Sequence, residues 1–247
     1  MKSLLVTGAG RGIGRSVALL AAEAGWFVTV NYRSDVDAAE ATLAEVKARG
    51  ADGVLAPGDV AVETDVLRMF DVACADGRGL DGVVVNAGIV APSMSLAEMS
   101  VERLRRMFDV NILGAYLCAR EAARRMPRSR GGRGGSIVMV SSAASRLGSP
   151  FEYVDYAGTK GAVDTLTIGL SKELGGDGVR VNAVRPGLIR TDIHGSGGQP
   201  DRAARLGSSA PLGRPGEAEE VGAAILWLLG DTSSYCTGAL LDVSGGR

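Results

Sequence analysis

The chain has 247 residues, 46% hydrophobic and 22% charged, and its 27 basic and 28 acidic side chains leave a formal net charge of -1. That length suits one domain, residues 1–247, with its own core, and the balanced charge argues against an electrostatic nucleic-acid or membrane binder. Three cysteines without C-x-x-C spacing and a lone histidine, His194, leave no metal site to assemble, while the short apolar start and the lack of a membrane-length apolar run point to the cytoplasm.

Short runs of Val, Ile and Leu alternate with helix-period stretches to the end of the chain, the pattern of βαβ units and a parallel sheet. A strand is expected at 4–7, a helix at 11–24, a strand at 27–32, and an Ala-rich helix at 36–49 stopped by Gly50. Further strands at 53–56, 82–86, 136–141, 179–184 and 239–243 are separated by helices near 63 and at 101–125, 153–174 and 217–229. About seven parallel strands with helices on both faces follow. Trp227 reads as packing on the last of these helices. Two loops interrupt the pattern. Residues 128–135, dense in Gly and Arg, read as a mobile surface turn. Residues 191–216, which mix Gly, Ser, Pro and Arg, are long enough to form a substrate lid.

Thr7-Gly8-Ala9-Gly10-Arg11-Gly12-Ile13-Gly14 joins the first strand to the first helix, where backbone amides and the helix dipole can hold a pyrophosphate. Glycines at 8, 12 and 14 permit a tight turn, close phosphate approach and helix-to-sheet contact. Taken alone, the turn also fits an ordinary strand-to-helix connection. The second strand ends Val30-Asn31-Tyr32-Arg33, without the acidic residue that usually binds both ribose hydroxyls of NAD(H). Arg33, with Arg11 and Ser34, suits the 2′-phosphate of NADP(H). NADP(H) is therefore the preferred cofactor and NAD(H) the alternative, with a merely solvated Arg33 as the competing reading. Asp59 and Val60, just past the third strand, offer a carboxylate and an apolar surface to an adenine.

Tyr156 and Lys160 stand at i and i+4 of an expected helix, on one face about one turn apart. Free tyrosine titrates near about 10, so proton transfer at neutral pH needs a cation beside it. By itself the spacing also fits a solvated pair. The strand at 136–141 leads into Ser142, 14 residues before Tyr156 and placed to polarise a carbonyl.

T-G-x-x-x-G-x-G at 7–14, N-A-G at 86–88, Asn111, Ser142, Y-x-x-x-K at 156–160 and Pro186-Gly187 form an ordered set. Through it the chain resembles the short-chain dehydrogenase/reductase family over nearly its whole length. The resemblance implies a Rossmann-type doubly wound α/β fold and an NAD(P)-dependent oxidoreductase that moves a hydride between nicotinamide and a ketone or secondary alcohol. It implies that Ser142 orients the substrate oxygen, Tyr156 moves its proton, Lys160 binds the nicotinamide ribose while favouring tyrosinate, and Asn111 holds a relay water. Asn86, Ala87 and Gly88 would line the cofactor, and Pro186, Gly187, Ile189 and Thr191 would bracket the carboxamide. A homotetramer or homodimer acting on a small molecule is implied as well.

The members closest in look are sugar-dehydrogenase-like or 3-oxoacyl-carrier-protein-reductase-like. The chain departs from the family at Val85 before Asn86 and at Thr159 before Lys160. The interval from Ser142 to Tyr156 is one residue longer than is commonest, so Ser141 competes with Ser142, and residues 147–152 are expected to absorb the extra residue. A catalytically silent dinucleotide-binding sensor or scaffold is the alternative. A sugar-nucleotide epimerase would need more chain for a substrate domain. Residues 145–154 and 188–212 carry no charge pattern that selects a substrate.

Overall fold

The computed structural model describes residues 1–247, apart from the side chain of His194, so that residue's imidazole lies outside the described residues. Strand β1 (Ser3–Val6) leads into helix α1 (Gly12–Glu23), and β2 (Phe27–Tyr32), α2 (Val36–Ala48), β3 (Gly53–Pro57), α3 (Glu63–Ala73) and β4 (Gly82–Val85) follow. Next come α4 (Val101–Phe108), α5 (Gly114–Arg125), β5 (Gly135–Val140), α6 (Ala144–Leu147), α7 (Val154–Leu174) and β6 (Val179–Pro186). Helices α8 (Ile193–Ser196), α9 (Arg202–Gly207) and α10 (Ala218–Leu229) precede β7 (Leu240–Val243).

The seven strands form one sheet in the order β3-β2-β1-β4-β5-β6-β7, and every pairing is parallel. The chain winds one way from β1 to β3 and the other way from β4 to β7. The order therefore reverses between β1 and β4, which opens a crevice at the carboxyl ends of the strands.

Strands buried on both faces read as continuous apolar runs, yet their side chains still alternate. Leu5, Val83, Val85, Ile137, Met139 and Val181 enter one core beneath α3, α5 and α7. Leu4, Val6, Val84, Val138, Val140 and Val184 enter the other, beneath α1, α2 and α10. Each core seats its helices from one side, so the strand ends and the loops they launch are fixed before any site chemistry begins.

Three details differ from the sequence-based expectations. The helix expected at 101–125 is α4 and α5 joined by a π turn at Asp109–Leu113, a local widening that periodicity does not register. The 191–216 segment contains α8 and α9, and its two ends meet where Ile189 bridges Gly216. Residues 128–135 are tied down: Gly134 donates to the Met126 carbonyl at 2.8 Å, and the Ser129 backbone and hydroxyl both donate to Asp177. Its backbone partners come from α5 and from the turn before β6, which composition alone does not reveal. Among the described residues no helix is long and apolar enough to cross a membrane.

Candidate active site

Strand β1 stops where Thr7 turns its hydroxyl into the neighbouring crossover. Thr7 Oγ1 accepts from the backbone amides of Asn86 at 2.9 Å and Ala87 at 3.0 Å. Asn86 Nδ2 returns two bonds, to the carbonyls of Thr7 at 2.8 Å and Gly8 at 3.1 Å. From the other flank, buried Asn31 accepts from Gly8 N at 3.0 Å through its side chain and from Ala9 N at 2.8 Å through its carbonyl. Its Nδ2 donates to the carbonyls of Ala56 at 2.9 Å and Gly58 at 3.1 Å. One asparagine thus fastens the glycine loop to the end of β3.

That fastening leaves no room for a side chain at Gly14. A Cβ on Gly14 would lie 2.5 Å from the Gly8 carbonyl and 2.6 Å from Asn86 Nδ2. Gly8 has φ +64 and Gly12 φ +54, the left-handed region that glycine enters without strain. A Cβ on Gly12 would reach 3.4 Å from the Thr191 methyl, so the first residue of the 191–216 segment closes over the loop.

A cleft of about 530 Å³ runs along these strand ends. Gly8, Arg11, Gly12, Ile13, Arg33, Ser34, Asp59 and Val60 line one end of it. Asn86, Ala87, Gly88, Ser142, Tyr156, Lys160, Pro186, Gly187, Ile189 and Thr191 line the rest. The crowded glycine loop, the cleft volume and the cation at its β2 end fit a dinucleotide phosphate chain. Arg33 is half exposed and 3.9 Å from Asp59, so its guanidinium keeps most of its donors free for an anion. Asp59 is shared, since its other oxygen accepts from Ala61 N at 3.0 Å.

Gly14 and Asn111 do not line the cleft. Gly14 packs behind the loop as described. Asn111, in the π turn, is buried and clamps Ile89: Oδ1 accepts from Ile89 N at 2.8 Å, and Nδ2 donates to Ile89 O at 2.9 Å. Its amide also reaches Thr159 Oγ1 at 3.3 Å. The Asn111 side chain is therefore spent on shaping the loop after β4.

Tyr156 is half-buried on α7, and desolvation pushes its phenol up to about 12, while a hydrogen bond with Ser142 pulls the other way. The Lys160 ammonium lies 5.6 Å from the Tyr156 ring centre and donates to the Val140 carbonyl at 2.7 Å. Burial lowers it to about 8, opposed by the Asp164 carboxylate. A Cβ on Gly88 would lie 3.5 Å from Lys160 Nζ, so the ammonium sits at ordinary contact distance from this turn. Both serines line the cleft, but Ser141 is buried with its hydroxyl donating to the Lys160 carbonyl at 3.2 Å, while Ser142 bonds with Tyr156.

Sequence reasoning missed several residues that build this site. Thr7 and Asn31 are two. Asp155, buried beside Tyr156, holds the start of α7 to α4 through Arg103 Nε at 2.8 Å. Arg202 of α9, only 8% exposed, lines the far end of the cleft, pairs with Glu152 at 2.6 Å and lies 5.0 Å from the Tyr153 ring centre. The one available signal was Arg202 itself, whose partner Glu152 lies 50 residues away.

Known proteins resemble this chain over its length. Residues 8–247 match the family model described as enoyl-(acyl carrier protein) reductase. An uncharacterized oxidoreductase of Escherichia coli K12, YgfF, is 47% identical over 247 residues, covering 100% of both chains. The 3-oxoacyl-[acyl-carrier-protein] reductase FabG of Staphylococcus aureus Mu50 is 36% identical, covering 99% of this chain and 97% of the relative. The crystal structure of a short chain dehydrogenase from Burkholderia cenocepacia in complex with NADP superposes with a TM-score of 0.90 at 28% identity, over 99% of this chain and 97% of that one. With this likeness running the whole length of a sheet, a glycine loop and a Tyr-Lys pair built as above, the chain belongs to the short-chain dehydrogenase/reductase family of NAD(P)-dependent oxidoreductases.

Proposed function

We propose that the protein is an NADP(H)-preferring carbonyl reductase or secondary-alcohol dehydrogenase of the cytoplasm. Residues 1–247 act as one domain, with 191–216 as the substrate lid. The observation that carries this reading is that Ser142, Tyr156 and Lys160 share one cleft with the glycine loop and Arg33.

When bound, the nicotinamide supplies or takes up the hydride. Gly8, Arg11, Gly12 and Ile13 form the pyrophosphate cradle with Gly14 packed behind them, Arg33 and Ser34 take the 2′-phosphate, and Asp59 and Val60 take the adenine. Asn86, Ala87 and Gly88 line the cofactor's middle, while Pro186, Gly187, Ile189 and Thr191 bracket its carboxamide. Ser142 orients the substrate oxygen. Tyr156 Oη gives that oxygen its proton in reduction and takes it back in oxidation. The raised value of Tyr156 keeps it a proton carrier at neutral pH, and the positive charge of Lys160 makes release of that proton feasible. Asn111 acts through the position of Ile89 and of its own turn.

The substrate is a small carbonyl compound or its alcohol. The relative acting on 3-oxoacyl groups supports that class, and sugar-dehydrogenase-like chemistry is the second candidate within it. A homotetramer or homodimer is supported by exposed apolar side chains, Phe108 and Tyr116 on α4 and α5 and Trp227 on α10. The test is NADPH consumption over a panel of ketones and aldehydes. Turnover of at least one supports the reading, whereas tight NADPH binding with no hydride exchange across the panel favours a silent sensor.

A further inference from the structure

Asp164 lies one helical turn beyond Lys160 on α7, so the two side chains share a face. It is buried, and across the gap to β6 it meets Arg185, the residue just before Pro186 and Gly187. Both contacts fall on one oxygen: Arg185 Nε donates to Asp164 Oδ2 at 3.1 Å and Nη2 at 2.9 Å. Asp164 Oδ1 is buried too and has no hydrogen-bond partner among the described residues.

A buried ion pair is seldom more stable than packed apolar side chains of similar size. A half-satisfied carboxylate is more costly still. What this one does have is a position from which a negative charge acts on Lys160. Resting on the Tyr156 and Lys160 roles proposed above, we infer that Asp164, fixed in place by Arg185, is a positioning residue that keeps Lys160 charged near neutral pH.

Among the described residues, the other charges around Lys160 are already engaged or exposed to solvent. On α7 itself the facing groups are Tyr156 and Asp164. Strand β5 presents the Val140 carbonyl and Ser141, and the loop after β4 presents Gly88 with the Asn111 amide beside it. Asp109 of the π turn is exposed to solvent. The arginines that α4 and α6 bring to this region are paired, Arg103 with Asp155 and Arg146 with Asp242. Glu121 of α5 pairs with Arg124 and Arg125. On β6, Arg180 is spent on Ser233 and on the carbonyls of Gly230 and Cys236. Lys160 is lowered by burial, and Asp164 is the charge opposing that. Removing the carboxylate lets burial act alone, so the Lys160 ammonium loses its proton at lower pH.

The chain has four lysines, Lys2, Lys47, Lys160 and Lys172, and only Lys160 is buried. Carbon-13 NMR of lysine-labelled, cofactor-free protein therefore reads its titration directly, with the exposed three as internal references. In Asp164→Asn, which keeps an acceptor for Arg185, Lys160 should titrate about one pH unit lower than in the wild type. Arg185→Lys preserves the charge and should leave the titration where it was. The alkaline limb of NADPH-linked reduction should move down with Lys160 in Asp164→Asn, and the KM for NADPH should change less than the limb does.

If Asp164→Asn does not fold, the double variant Asp164→Leu with Arg185→Met replaces the pair by apolar groups and also predicts a lower Lys160 titration. A Lys160 titration unmoved in whichever variant folds overturns the inference and leaves the pair as a staple between α7 and β6. Turnover that survives Tyr156→Phe instead overturns the proposed site roles, a result the Lys160 titration does not touch.

Discussion

The two ends of the cleft are built by different means. At the cofactor end, short side chains bond directly to backbone: Thr7, Asn31 and Asn86 make nine such bonds across β1, β2, β3 and β4, through Thr7 Oγ1 and the two asparagine amides. At the substrate end, long side chains reach one another. Arg202 holds Glu152, Gln199 holds Tyr153 through its hydroxyl at 3.0 Å, and Arg205 holds Gln199 at 2.7 Å. Short amide-to-backbone bonds leave a loop little freedom, whereas ion pairs between long side chains hold by modest energies and can reform elsewhere. The difference matches the task, because one end meets an invariant dinucleotide and the other a substrate that must enter and leave.

The sharpest way to break this comparison is at its seam, where Tyr156 joins cofactor and substrate. Tyr156→Phe should lower kcat by about a thousandfold or more and leave NADPH affinity within about twofold, because only the ionisable hydroxyl is removed. Steady-state kinetics with calorimetry separates the two. Next in size, Gly14→Ala drives a Cβ into the Gly8 carbonyl and Asn86. The strain of about 1–3 kcal/mol should appear as a lower melting temperature together with a roughly tenfold or greater loss of NADPH affinity. A variant that binds as the wild type does would show the cofactor end to be as adaptable as the substrate end.

Arg33→Ala should weaken NADPH binding by roughly tenfold, the size of one charge-assisted contact, with NADH binding nearly unchanged. Equal losses for both would remove the 2′-phosphate role. The smallest effect is expected at the lid. Arg202→Gln should raise KM for a carbonyl substrate a few fold and speed proteolysis within 191–216, with the NADPH Kd unaltered, since the pair it breaks is worth about 1 kcal/mol or less where Glu152 meets solvent. A change in NADPH affinity there would join the two ends into one unit.

Much of the fold was legible because its signals are local. Seven apolar runs and the helices between them lie where their periodicity places them, and the loop between α6 and α7 holds Ser149 and Phe151 at positive φ, 45 and 63. The glycine loop and the Tyr156-Lys160 pair are equally local, each set by spacing along one turn or one helix. What stayed hidden depends on contacts distant in sequence. Nothing within residues 27–32 announces that Asn31 will reach Gly8 on one side and Gly58 on the other. The π turn at Asn111 breaks a helix whose composition is continuous, and the side chain of Asn111 proves to be directed at Ile89 instead of into the cleft. The two short helices of the 191–216 segment carry too little apolar periodicity to be seen, and α9 is held by Arg202, whose partner Glu152 lies 50 residues away.

The account stands most directly on cofactor preference, because the glycine loop, Arg33 and the free face of its guanidinium all bear on one ligand. Calorimetric titration of the purified protein with NADPH and with NADH tests it before any substrate is known. Binding of both, with NADPH the tighter, is the predicted result; a preference for NADH would contradict the role given to Arg33, and binding of neither would contradict the site itself.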